Sequence, residues 1–286
     1  MKKLLMAFAA VIITLVAVAD ERLYVELLDR ADRAVARQDW TEAEKYLREA
    51  MQTEPSNPAN VTLLSNCGMF QFYRGEDSLA LHTLSEARAI APTSPVILRN
   101  RAKVLRHMGR IADALKDYDL LVKMDSTNYD TYFDRGSMLL LSGDTVAAAS
   151  DFAVMERLRP DDPNTLMSLG VLYANTGRLD DALTYYNRLI KTTDTPNTKI
   201  PAEKRAKYYT ARAMVRLVKE DMTEASTDIA RGLELDPESG ELYFCRANLK
   251  LLQYQDADAN ADAEKARSLG VPQERIDELF QSVSSK

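Results

Sequence analysis

Cysteine and histidine are nearly absent from this chain, with two of each in 286 residues. Two thiols cannot build a disulfide framework, and two imidazoles cannot furnish a His-rich metal centre. Basic residues are outnumbered, 37 against 43 acids, for a formal charge of −6. That balance gives no electrostatic footprint for nucleic acid or anionic lipid. Beyond residue 19 there is no long apolar run, which excludes a polytopic membrane protein. The phosphate-cradling patterns GxxxxGK and GxGxxG are missing, as are HExxH, CxxC and the GxSxG nucleophile elbow. What remains is 46% apolar and 28% charged, the composition of a folded chain rather than a disordered one.

The single apolar run lies at the start. Lys2 and Lys3 precede Leu4 to Val16, and Ala17-Val18-Ala19 forms a small-x-small cleavage pattern. The run to Ala19 is short of the roughly 20 residues that span a bilayer. The pattern predicts a secretory signal over 1–19, cleaved to leave Asp20 first. Export across the inner membrane, most simply to the periplasm, is then expected, with no stable membrane insertion afterwards. The alternative is an uncleaved N-terminal anchor.

The rest of the chain repeats. Ala43, Ala80, Ala114, Ala148, Ala182, Ala225 and Ala259 are spaced by 37, 34, 34, 34, 43 and 34 residues. Twelve residues before each lies another small residue: Ala31, Gly68, Ala102, Gly136, Gly170, Ala213 and Ala247. Small residues facing one another let helix backbones approach closely. Gly75, Gly109, Gly143 and Gly177 come next as turn residues that close a first helix. A larger side chain comes four residues after the alanine (Leu47, Leu84, Tyr118, Phe152, Tyr186, Ile229), and Pro55, Pro92, Pro160 and Pro237 stop the second helix. Thr41 and Glu44 have the spacing of a capping box.

These helix–turn–helix units, with Gly/Ala at their eighth position, Gly at the fifteenth and Ala at the twentieth, resemble tetratricopeptide repeats. The resemblance implies an all-α, right-handed superhelical solenoid in one continuous domain. It predicts seven units over 20–272 (24–57, 61–94, 95–128, 129–162, 163–196, 206–239 and 240–272) and a capping helix over 273–286, where Ile276, Leu279, Phe280 and Val283 make one apolar stripe. Insertions fall at Pro58–Asn60 and Asn197–Arg205.

A charge pair is written into the register. Arg101, Arg135, Arg212 and Arg246 hold the seventh position of four units, and the same units carry Asp117, Asp151, Asp228 and Asp262 at the twenty-third. Where the Arg gives way to Cys67 or Leu169, the Asp is replaced by Thr83 or Tyr185, and only the first unit breaks the pattern, keeping Arg30 opposite Tyr46. Joint appearance and loss predicts a structural Arg–carboxylate bridge between the two helices of a unit.

The family resemblance implies a groove lined by the first helix of each unit. Here it would present Met69, Phe72, Tyr73, Arg99, Lys103, Arg106, Phe133, Met167, Met214, Phe244 and Asn248, with Val171 and His107 beside them. Met and aromatic side chains suit adaptable apolar anchors, and Arg99, Lys103 and Arg106 share one helix face. The family's carboxylate clamp for chaperone tails is not matched: of Leu28, Asp32, Asn66, Val96 and Asn100, only Asn66 fits. The expected function is a non-enzymatic exported scaffold binding a protein or peptide, without catalytic residues, metal, cofactor or nucleic acid. A structural subunit docking through its convex face or terminal helix is the alternative, and an enzyme acting on an envelope substrate a third reading.

Overall fold

A computed structural model describes residues 21–284, so the predicted signal over 1–19 lies outside the described residues. Every element among them is a helix. The described chain divides into two compact units, 21–131 and 132–284.

The first unit begins with α1, helical over 21–36, and α2 (Trp40–Thr53). It continues with α3 (Asn60–Tyr73), α4 (Asp77–Ile90), α5 (Pro95–His107) and α6 (Ile111–Met124). α7 (Tyr129–Leu141) carries the boundary between the units. The second unit contains α8 (Thr145–Leu158), α9 (Pro163–Asn175), α10 (Leu179–Thr193), α11 (Ala202–Val218) and α12 (Met222–Leu235). It ends with α13 (Gly240–Leu252), α14 (Asp256–Ser268) and α15 (Gln273–Ser284). Successive helices pack as hairpins, and α5 and α9 start with proline at the first helical position, where no backbone N–H is missed.

Helix starts and stops obey local chemistry. Asp39 caps α2 by accepting the Glu42 N–H at 3.0 Å, so the Thr41/Glu44 capping box is not formed. Glu44 instead accepts from Gln71 at 2.6 Å and Arg74 at 2.7 Å on the α3 side, a stronger use for a carboxylate half-way to the core. Gly75, Gly109, Gly143 and Gly177 sit at φ between 73° and 86°, the left-handed region where glycine costs least. Gln38, Glu220 and Tyr254 take the same conformation with side chains attached, at φ 59° to 60°.

The paired small residues approach closely, a Cβ on Gly68 falling 3.3 Å from the Ala80 carbonyl oxygen, and the glycines also make room for a large side chain. A Cβ on Gly68 would lie 2.7 Å from Leu84 Cγ, one on Gly136 2.5 Å from the Phe152 ring, and one on Gly170 2.4 Å from the Tyr186 ring. The bare backbone of the first helix therefore receives the large side chain of the second. Part of the insertion over Asn197–Arg205 becomes helix: α11 starts at Ala202 and runs 17 residues. α15 lays Ile276 and Leu279 into a cluster with Ala259, Ala263, Ala266 and Val271, burying apolar surface that the last hairpin would otherwise expose.

Candidate functional site

Within the second unit, the first helices of successive hairpins enclose an apolar hollow. One part, about 400 Å³, is lined by Met167, Val171, Ala174, Asn175 and Leu179, with Tyr186, Ala211, Met214, Val215 and Val218. An adjoining part of about 490 Å³ shares Met167, Val171 and Asn175 and adds Ser137, Leu140, Leu141, Phe152 and Ser168. No lining residue carries a charge. The floor comes from Phe152 and Tyr186, the rings seated on Gly136 and Gly170. The rim leaves Leu141 and Val218 74% and 69% exposed. Exposed aliphatic side chains thus border an uncharged hollow.

Of the residues expected on the groove, Met167, Val171 and Met214 line this hollow. Phe133 and Asn248 are half-buried on α7 and α13, outside it. Phe244 packs against the cluster under α15 and lies beneath the Arg275 guanidinium, 4.8 Å from its ring centre. Met69 belongs to the core, buried with Ala80, Leu84 and Val104, because its helix turns that position toward α4. Leu140, Leu141, Ala174, Asn175 and Val218 were not singled out in the sequence, though they stand at the twelfth or thirteenth unit position that Phe72, Tyr73 and Arg106 hold in earlier units.

The first unit holds a different surface. Tyr73, nearly half exposed, packs on Trp40 with ring centres 5.0 Å apart, and Trp40 stacks on Phe70 at 5.6 Å. The Lys103 ammonium sits over the rings of Phe72 and Tyr73 at 5.4 and 5.2 Å, within cation–π range. His107 meets the edge of Phe72 and places its Nδ1 2.8 Å from Asp77 Oδ2. Arg99 and Arg106 flank Lys103 on α5.

The four Arg–Asp pairs join the helices of their hairpins in one geometry. Each Arg donates from Nε and Nη2 to the two carboxylate oxygens, at 2.8–3.0 Å and 2.6 Å. Asp117, Asp151 and Asp228 are at most 2% exposed. Asp228 also accepts from Arg216 at 2.6 Å, and Arg212 donates onward to Asn187 at 2.7 Å. Tyrosines not singled out in the sequence cover three of the guanidinium groups: Tyr132, Tyr209 and Tyr243, each three residues before its Arg. That i, i+3 recurrence was the available signal. In the first hairpin Arg30 lies over Tyr46 instead and pairs with Glu26.

Neither thiol is poised for chemistry. Burial pushes Cys67 and Cys245 up to about 12, far from the thiolate form a nucleophile needs. Among the described residues, no group of three or more His, Cys, Asp or Glu could hold a metal ion, and no helix is long and apolar enough to cross a membrane.

Comparison with known proteins places these hairpins. A tetratricopeptide repeat model matches residues 99–163 and 156–197. The crystal structure of a tetratricopeptide repeat protein from Parabacteroides merdae is similar at 26% identity and a TM-score of 0.75, covering 92% of this chain and 99% of that one. Tetratricopeptide repeat protein 13 of Homo sapiens is 26% identical over 113 residues, 40% of this chain and 13% of that protein. DnaJ homolog subfamily C member 3 of Mus musculus is 27% identical over 175 residues, 58% of this chain and 34% of its own length. The chain thus spans about a third or less of the curated relatives it matches. With this register, these hairpins and a similar repeat structure aligned over nearly its whole length, residues 99–197 match the tetratricopeptide repeat family and the described chain has the fold of a tetratricopeptide repeat protein.

Proposed function

We propose that this protein is an exported, non-enzymatic scaffold that holds a segment of a protein partner along the first helices of its repeats. The observation that carries the reading is the uncharged hollow across α7, α9 and α11, rimmed by exposed Leu141 and Val218. Adaptable Met167 and Met214 side chains line it, as suits apolar anchors of varied shape. The reading needs no cofactor or metal. Docking through α15 has weaker support, since Ile276 and Leu279 are already buried on the chain's own last hairpin. Export rests on the pattern of residues 1–19; sequencing of the mature N-terminus should begin at Asp20, and a start at Met1 refutes it.

The binding test compares pull-downs with the wild-type protein and two variants. Met167→Glu with Met214→Glu puts charge into the hollow and should abolish partner recovery. Val146→Glu, on an α8 residue 78% exposed outside the hollow, should leave recovery unchanged. Retention by the first variant, or loss only with the second, would move the interface off the hollow.

A further inference from the structure

The first unit carries cations that its own carboxylates leave unpaired. Most of its arginines are held by acids: Arg30, Arg37, Arg48, Arg74, Arg101 and Arg110 all pair within 2.7 Å. Arg99, Lys103 and Arg106, on one face of α5, make no ion pair among the described residues. Asp125 feels the Arg99 charge only through space, with no hydrogen bond between them. In a chain with 43 acids against 37 bases, Arg99, Lys103 and Arg106 thus gather three cations without a bonded carboxylate on one helix face. Arg99 has a second mark: its Nε is buried and donates to nothing. A buried guanidinium N–H without a partner carries a desolvation penalty that a turn of the side chain toward an acceptor would relieve. Lys103 is fixed over two aromatic rings, so its ammonium is oriented before any ligand arrives, and Tyr73 beside it is 48% exposed.

We infer that this face of α5 and the adjoining end of α3 form a second binding surface, distinct from the apolar hollow, for a short acidic polypeptide segment. At 1.5 Å per residue, Arg99 to Lys103 rises about 6 Å along the helix. Alternate residues of an extended chain are about 6.6 Å apart, so carboxylates two residues apart meet both cations. A short segment feels this local field, because charges beyond about 8 Å are screened at physiological salt. A long polyanion or a membrane sheet would also meet the acidic remainder of the protein, whose net charge is −6. The surface differs from a carboxylate clamp in needing no free chain terminus.

The protein's single tryptophan is a built-in local reporter, since Trp40 packs on Tyr73. The probe is a dye-labelled peptide, acetyl-Asp-Phe-Asp-Phe-Glu-amide, tracked by anisotropy with Trp40 emission read in parallel. Saturable binding and a Trp40 change are expected. Affinity should fall at least about tenfold on raising the ionic strength from about 0.05 M to about 0.5 M. Arg99→Glu with Arg106→Glu should weaken binding by about tenfold or more, with far-UV circular dichroism unchanged; Arg106→Glu alone, at an exposed position, serves if the double variant loses helix. The variant with charge in the hollow, Met167→Glu with Met214→Glu, should bind this peptide normally, which separates this surface from the hollow. Equal binding of the amide peptide with Asn and Gln in place of Asp and Glu overturns the inference. So does undiminished binding by the charge-reversed α5 variants, or capture of phosphatidylserine vesicles or oligothymidylate by a protein that ignores the acidic peptide.

Discussion

At the scale of single residues, two kinds of glycine do unrelated work. Gly136 and Gly170 make room for rings, and alanine at Gly170 would place a Cβ 2.4 Å from Tyr186. Gly170→Ala should cost about 1–3 kcal/mol through overpacking, read as a lower midpoint in urea. Tyr254 is the reverse case, an aromatic 91% exposed and held at φ 59°. Left-handed backbone costs a side-chain-bearing residue about 1–2 kcal/mol, so Tyr254→Gly should raise stability by about 1 kcal/mol, and an unchanged melting temperature would contradict that strain. The ion pairs separate by burial in the same way. Asp228→Ala strands Arg212 and Arg216, both little exposed, and should cost about 3–5 kcal/mol. Asp262→Ala, whose Arg246 side chain is 38% exposed, should cost about 1 kcal/mol or less.

Between elements, Glu44 ties α2 to the end of α3. Burial works against its carboxylate, but hydrogen bonds from Arg74, Arg48 and Gln71 outweigh that and hold its pKa below the usual range. A group lowered in the folded state contributes stability above its unfolded pKa, about 4.3 for Glu, and loses it as pH falls through the folded value. Asp194 behaves alike in the second unit: burial opposes its charge, and Tyr209, Arg205 and Arg231 hold it low across the α10–α11 insertion. Stability should therefore decline below about pH 4. Glu44→Gln should be less stable at pH 7 and show a shallower acid loss; an identical acid profile would remove Glu44 from this role. Helix order was legible because every hairpin repeats the same small and turn positions, and all but the last, with Ala263, the large one. The capping box was misread because Asp39, one residue before α2, outcompetes Thr41 for the free N–H groups. The spacing did not reveal that Gly68, Gly136 and Gly170 also lie under side chains four residues beyond the alanines, a depth that it does not encode.

At the scale of the whole molecule, each compact unit carries one buried cysteine, Cys67 in the first and Cys245 in the second. Both thiols are raised to about 12 by burial, so alkylation in native buffer should be negligible and each should react only as its own unit opens in denaturant. Rapid native labelling of either would contradict its burial. The Arg–Asp pairing was readable from joint gain and loss along the chain. The candidate surface was readable in part: Met167, Val171 and Met214 stand where the register put them, whereas Met69 is core and Phe244 is covered beside α15, since burial at an array's end depends on the helix packed over it. Site-specific photocrosslinking in the native cell bears most directly on the scaffold reading. A photoreactive residue at Val171 or Val218 should form a discrete adduct with a partner protein, and one at Val146 should form none. Adducts from Val146 with none from Val171 or Val218 would contradict binding in the hollow.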